Sequence, residues 1–313
     1  MGERHIAAAA HDLVKDFDGN RAVDGVSLSV PAGSISGILG PNGAGKTTCL
    51  RMLLGIIDPT SGTRTLLGRD KPLEAAREVG YLPEERGLYP SMPAAEAIAF
   101  MGALRGLPIT TGRRRAVELL EGRGFGDWAK RPIRTLSKGM AQTVQLLGTI
   151  VHKPRLIVLD EPFSGLDAIN QEKLEQLIRD EAAAGTTVIF STHVIAHAER
   201  LCERVAIIAE GKVAFEGAVD EARGQLRPIV HLRTRAADGP WRQAIPASAE
   251  RIGGEWRFEL PDGGPEPLLK ALLDGHAGIE TLSIERPGLH DAFIAIAGAA
   301  AAREMGHAPQ EAV

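Results

Sequence analysis

Three short runs of the chain are apolar at nearly every position. They are "SISGILG" (Ser34–Gly40), "RLIVLD" (Arg155–Asp160) and "TTVIFST" (Thr186–Thr192). A half-solvated strand alternates, whereas a strand covered on both faces is apolar throughout, as in parallel sheets packed between helices. Helical patterns lie between and after these runs, so the pattern predicts an α/β core. Residues 5–35 read differently, as two short strands joined by "DFDGNR", in which Asp18, Gly19 and Asn20 carry turn chemistry. From about Ala94 to His152 the pattern is mainly helical, which predicts a helical lobe over about residues 84–153.

After "VAIIAEGKVAFEG" (Val205–Gly217) the texture changes. Gly, Pro and Ala-rich breaks separate the strand-like "PIVHLRT" and "EWRFEL" from the helical "PEPLLKALLDG". A further strand, "IETLSIER", leads into the helical "GLHDAFIAIAG". The pattern predicts a first domain over residues 1–223, a boundary near Gly224 and a small α+β domain over residues 224–298. Residues 299–313 read as a frayed, disordered tail. No internal repeat and no heptad pattern is present.

Composition narrows the class. The 313 residues are 44% hydrophobic and 24% charged, enough apolar content for a proper core. A formal charge of −4 argues against a general nucleic-acid binder. Trp128, Trp241 and Trp256 show no sequence pattern with basic residues that would make stacking platforms. The two cysteines, Cys49 and Cys202, sit far apart inside apolar patterns and read as reduced and buried. The N-terminus lacks the apolar core of a signal peptide. The longest uncharged apolar run, Ala292–Ala302, has 11 residues, too short for a bilayer. The chain therefore reads as soluble and cytoplasmic, with any membrane link made through a partner.

"GPNGAGKTT", Gly40 to Thr48, follows a buried strand and opens a helix, and it fits G-x-x-x-x-G-K-[ST] in full. Gly40, Pro41, Asn42, Gly43, Ala44 and Gly45 would wrap phosphates with backbone N–H groups at a helix N-terminus, joined by Thr48 on the first turn. Lys46 is placed to reach the β- and γ-phosphates, and the Thr47 hydroxyl to bind Mg²⁺. These residues predict ATP-type nucleoside triphosphate binding. "LIVLDEP", Leu156 to Pro162, ends a strand in two acids; Asp160 is expected to hold the metal and Glu161 to act as general base. Against this, two acids at a strand end are often no more than solvated turn residues. His193 closes the next apolar strand and is expected to contact the γ-phosphate, while His197 reads as an ordinary core or surface histidine. A zinc-protease reading of the two histidines fails, because Val194 stands where a glutamate is required. Arg113, Arg114 and Arg115 read as a solvated basic face. "TLSKGMAQ", Thr135 to Gln142, puts a serine before a helix and a glycine two residues on, a second place for an anion or an ordinary helix cap.

Over residues 5 to about 222 the chain resembles the ATPase subunits of ABC transporters, because five motifs fall in the family's order. The resemblance gives "GPNGAGKTT" and "LIVLDEP" as the two Walker motifs, and His193 as the switch histidine. It also makes "SGLD" (Ser164–Asp167) the loop that meets the partner, and "LSKGM" the family signature. It implies that Phe17 stacks on adenine, a role its ring suits. It implies a P-loop NTPase core of ABC ATPase type with an antiparallel β subdomain and a helical subdomain. It further implies that two copies pack head to tail, so that Ser137 and Gly139 of one chain bind the γ-phosphate held by Lys46 of the other. The family's signature is usually LSGGQ; Lys138 and Met140 depart from it here. Glu84, in "GYLPEERGLYP", stands where the family carries a magnesium-contacting glutamine, and is expected to sense Mg²⁺. Leu88, Tyr89 and Met92 are expected to line the groove for a permease helix. "IERPGLHDAFIAIAG" resembles the end of the C-terminal domain of bacterial ATPases that serve a separate exporter permease. A soluble ABC ATPase acting on ribosomes or DNA is the rival reading, and a degraded, non-hydrolysing partner a third; Lys46, Asp160, Glu161 and His193 count against the last.

Overall fold

The computed structural model describes residues 5–85 and 87–305, with side chains up to Gly298. The chain opens with β1 (Ile6–Phe17), β2 (Asn20–Pro31), β3 (Ile35–Leu39), α1 (Lys46–Leu53), β4 (Ser61–Leu66) and β5 (Val79–Leu82). Helices α2 (Ala94–Leu104), α3 (Ile109–Glu121) and α4 (Lys138–Ile150) follow. The chain then alternates through β6 (Leu156–Leu159), α5 (Ala168–Ala183), β7 (Thr187–Thr192), α6 (Ile195–Leu201), β8 (Arg204–Ala209), β9 (Lys212–Ala218) and α7 (Val219–Arg223). The remainder holds β10 (Ile229–Thr234), β11 (Glu250–Ile252), β12 (Glu255–Glu259), α8 (Pro265–Asp274), β13 (Ile279–Glu285) and α9 (Leu289–Met305).

The apolar runs form the middle of a six-stranded sheet in the order β5-β6-β7-β3-β8-β9. Its first five strands are parallel and β9 closes the edge antiparallel to β8. Every residue of β3, β6 and β7 is buried, as their unbroken apolarity requires. A second sheet, β2-β1-β4, is antiparallel. Its hairpin strands are twelve residues each, not short. Polar positions and bulges break their pattern, so the sequence alone understates their length; Asp12 turns at φ 48° and is tied to Ser27. At the hairpin tip Asp18 and Gly19 both take positive φ, the geometry of a tight primed turn.

Leu13 and Val26 of the antiparallel sheet share one core with Ile38 and Ile189 of the parallel sheet. Leu50, Met52 and Leu53 of α1 fill it, each almost fully buried. Burying each such side chain contributes about 1.5–3 kcal/mol, so α1, which carries the phosphate loop, is anchored from below. Among the described residues no helix is long and apolar enough to cross a membrane. Cys49 and Cys202 are free, and burial raises both thiols, Cys49 to about 12.

Residues 220–295 form a second compact unit. Its sheet, β11-β12-β10-β13, is antiparallel and covers a core of Val230, Leu232, Trp241, Trp256, Phe258, Leu268 and Leu272. Trp256 does stack with basic residues, contrary to the sequence reading: Arg242 lies 3.8 Å and Arg251 5.2 Å from its ring centroid. The indole is 8% exposed, so it is a core residue capped by cations and not an open platform. Helix α9 breaks at Gly298 (φ 78°) and resumes to Met305, so helix occupies the first part of the expected tail; residues 306–313 lie outside the described residues.

Candidate active site

The loop between β3 and α1 leaves little freedom in its backbone. A side chain on Gly40 would strike the Ile208 carbonyl of β8, and Gly45 takes φ 97° against Ala22 of the hairpin. Both positions need glycine for close approach, and Gly45 needs it also for its left-handed backbone. Gly45 is the N-cap of α1 and offers no side chain to the first turn, so that turn's N–H groups have no side-chain cap. Lys46 is only 5% exposed and folds back over its own loop. Its ammonium donates to Gly40 O (2.8 Å) and Pro41 O (3.0 Å) and pairs with Glu161 Oε1 at 3.2 Å.

The two acids stand where β6 ends, facing α1. Thr47 Oγ1 donates to Asp160 Oδ1 at 3.0 Å, and Ser191 Oγ of β7 donates to the same oxygen at 2.7 Å. Asp160 is fully buried and its Oδ2 has no hydrogen-bond partner. A buried carboxylate oxygen without a donor is costly and marks a place for a cation. The Thr47 hydroxyl and a free Asp160 oxygen are hard oxygen donors of the kind Mg²⁺ takes, so the residues present fit that ion. Ser191 also accepts from Glu161 N at 2.9 Å, linking the Asp160 carboxylate and the Glu161 backbone to β7. Glu161 itself takes φ 46°, a left-handed backbone that costs a non-glycine residue about 1–3 kcal/mol.

His193 Nδ1 lies 3.0 Å from Glu161 Oε2, so Glu161 is held between a histidine and a lysine. Burial raises the Glu161 carboxyl, but the His193 hydrogen bond and the Lys46 charge outweigh it and hold it below the usual carboxylate range. The imidazole is raised in turn, chiefly by its hydrogen bond to Glu161 and against its own partial burial. The strand-end acids are therefore not solvated turn residues.

Glu84 is exposed and lines a cavity of about 340 Å³ together with Glu85, Lys138, Gln142, Asp160, Glu161 and Ser164. Lys138, the departure from the usual signature, folds toward this cavity, its ammonium packed on Gly165. Ser137 caps α4, accepting from Met140 N at 3.3 Å, and both it and Lys138 are exposed. Gly139 abuts Asn170 and Leu166, so α4 begins beside the start of α5. Phe17 stands 45% exposed at the hairpin tip with Lys15 Nζ 5.1 Å from its ring centroid. Thus Gly40, Lys46, Thr47, Asp160, Glu161 and His193 form one cluster, while the contacts of Ser137 and Gly139 run to their own helix and to α5. Ser191 was missed by sequence reading, although a serine inside an apolar strand is a visible signal. The pair His197–Glu175, described below, was missed for lack of any local signal.

A glycine-rich loop at a helix N-terminus, its lysine, and a strand-end acid bonded to the loop threonine define a P-loop nucleoside triphosphatase. A family model described as "ABC transporter" matches residues 23–164. The uncharacterized ABC transporter ATP-binding protein YhaQ of Bacillus subtilis is 34% identical over 92% of this chain and 97% of its own length. The Nod factor export ATP-binding protein I of Ralstonia nicotianae is 34% identical over 94% of this chain and 93% of its own length. Among solved structures, an ATP-binding subunit of an ABC transporter superposes with a TM-score of 0.64. It is 29% identical and covers 70% of this chain and 92% of its own. The chain belongs to the ABC transporter ATP-binding proteins, a family that hydrolyses ATP and works with membrane permease partners.

Proposed function

We propose that this chain is the motor of an ABC exporter, in which two copies close head to tail over two ATP molecules. The observation that carries the reading is the bonded cluster Lys46–Glu161–His193 beside the unpartnered oxygen of Asp160. On ATP arrival Lys46 leaves the Gly40 and Pro41 carbonyls for phosphate oxygens, and N–H groups from Gly43 to Thr48 wrap the same anion. Departure of Lys46 removes one of the influences that hold Glu161 low. The carboxylate becomes a better base when a phosphate is present and takes a proton from the attacking water. His193 keeps Glu161 in place through Nδ1 and turns its other nitrogen to the γ-phosphate. Thr47, Asp160 and Glu84 would hold Mg²⁺, which when bound neutralises phosphate charge. Phe17 offers its exposed ring to adenine.

Closure supplies what one chain lacks. The Ser137 hydroxyl accepts from Met140 N yet keeps its own proton free to donate, and Gly139 adds no side chain beside it. Both suit the γ-phosphate of the opposite copy, with Lys138 adding positive charge. The permease side is carried by the exposed Tyr89, edge-on against Phe100. Leu88 and Met92 lie beside Tyr89 in sequence and are half-buried. Such a patch fits an amphipathic helix of a membrane subunit. The chain is placed on the cytoplasmic face through that subunit. A relative named for Nod factor export supports the outward direction. Purification of the tagged chain from native membranes in mild detergent tests the reading. A multi-helix membrane protein in stoichiometric amount is expected; ribosomes or DNA complexes from the soluble fraction would contradict it.

A further inference from the structure

A cluster outside the reacting groups ties the loop after β6 to the exit of β7. Glu175 of α5 is 5% exposed, and donors from two helices surround its carboxylate. His197 Nδ1 lies 3.0 Å from Oε1. Arg200 reaches the same oxygen with Nη2 at 2.5 Å and Nε at 3.0 Å, and Arg179 Nη2 lies 3.3 Å from Oε2. His197 is 3% exposed and its ring lies flat on Phe163, centroids 3.9 Å apart and planes 9° from parallel. Phe163 in turn packs edge-on against Phe190 of β7.

The chain positions give this cluster its meaning. Phe163 follows Glu161 by two residues, and His197 follows His193 by four. The stacked pair therefore joins the segment that follows Glu161 to the segment that follows His193. Glu161 holds a left-handed conformation, which persists only where its surroundings over-determine it. The flat stack and the buried ionic anchor beneath it supply that constraint.

We propose that Glu175, acting through its bonds to His197 and Arg200 of α6, is a positioning residue for ATP hydrolysis. It fixes α6 against α5 and so sets the Phe163–His197 stack that keeps Glu161 and His193 in register. The inference rests on the roles given to those two residues above. Lys46 and the phosphate loop lie outside the brace, so its loss falls on turnover and spares nucleotide affinity.

Steady-state ATPase kinetics of the full chain test this, with affinity read separately from a fluorescent ATP analogue and folding from Tm. Glu175→Gln and His197→Ala are expected to lower kcat about ten- to a hundredfold, the usual cost of slight misplacement, with KM and analogue affinity within about twofold. His197→Phe keeps a flat ring on Phe163 and is expected to recover kcat to within about threefold of the native chain. In a His193→Ala background Glu175→Gln should cost less than in the native chain, since only Glu161 remains to be misplaced. Native kcat in both Glu175→Gln and His197→Ala would overturn the proposal, as would equal losses of kcat, affinity and Tm, or a His197→Phe as impaired as His197→Ala. The Glu161→Gln chain separates the two levels. If it hydrolyses ATP at the native rate, the assignment beneath fails; if it is inactive while Glu175→Gln is normal, only the brace fails.

Discussion

The N-termini of α1 and α4 are the two phosphate-binding candidates of one chain, and they are finished to different degrees. At α1 the cap is a glycine with no side chain to offer, and the buried Lys46 bonds the loop carbonyls. At α4 the cap is a serine already engaged with Met140 N, and Ser137 and Lys138 face solvent. The first presents uncapped N–H groups and a lysine to an anion; under the proposed closure the second would serve the opposite copy's nucleotide. In the proposed dimer this difference accounts for both occurring in one domain: each complete active site would take its floor from one copy and its lid from the other.

The largest expected effect separates floor from lid at the level of binding. Lys46→Ala removes the cation placed to meet the phosphates and leaves Glu161 with His193 alone. Loss of ATP affinity by more than about a hundredfold is expected in direct titration. Glu161→Gln should retain affinity and lower kcat about a hundredfold or more, within the range for a positioned base. Substantial residual hydrolysis would remove Glu161 from its role. Ser137→Ala touches only the lid: kcat should fall about tenfold while the single chain binds ATP as before, the loss of one donor to developing charge.

Smaller effects sharpen the contrast. Glu84→Ala should raise the Mg²⁺ concentration needed for half-maximal rate about three- to tenfold; an unchanged requirement would place Glu84 outside the metal's reach. His152, at the end of α4, is lowered to about 4 by burial, against the raising effect of its bond to Val79 O. The folded chain therefore resists protonating it while the unfolded chain does not. Stability falls as pH drops below about 6.5 and levels off below about 4, and His152→Leu should flatten that part of a Tm-against-pH curve without touching ATP affinity.

The sequence made the floor readable because its chemistry is contiguous: the loop Gly40–Thr48 and the acids Asp160–Glu161 each sit in one unbroken motif behind an apolar strand. The parallel strands were readable for the same reason, since burial on both faces writes itself into every position. The long hairpin was read too short, because bulges and polar edge positions interrupt its alternation. Strands β4 and β5 carried no strand signal at all. The brace was invisible, since Glu175 and His197 are 22 residues apart on different helices and become neighbours only after the core folds. Lys138 likewise looked like a departure within the signature until its packing on Gly165 placed it by the carboxylate cavity.

Sedimentation of the Glu161→Gln chain tests the shared active site most directly. With Mg²⁺ and ATP the account predicts a species of twice the monomer mass, reverting to monomer when ADP replaces ATP or when Ser137→Arg is added. A monomer under every nucleotide condition, or a dimer indifferent to both changes, would contradict it.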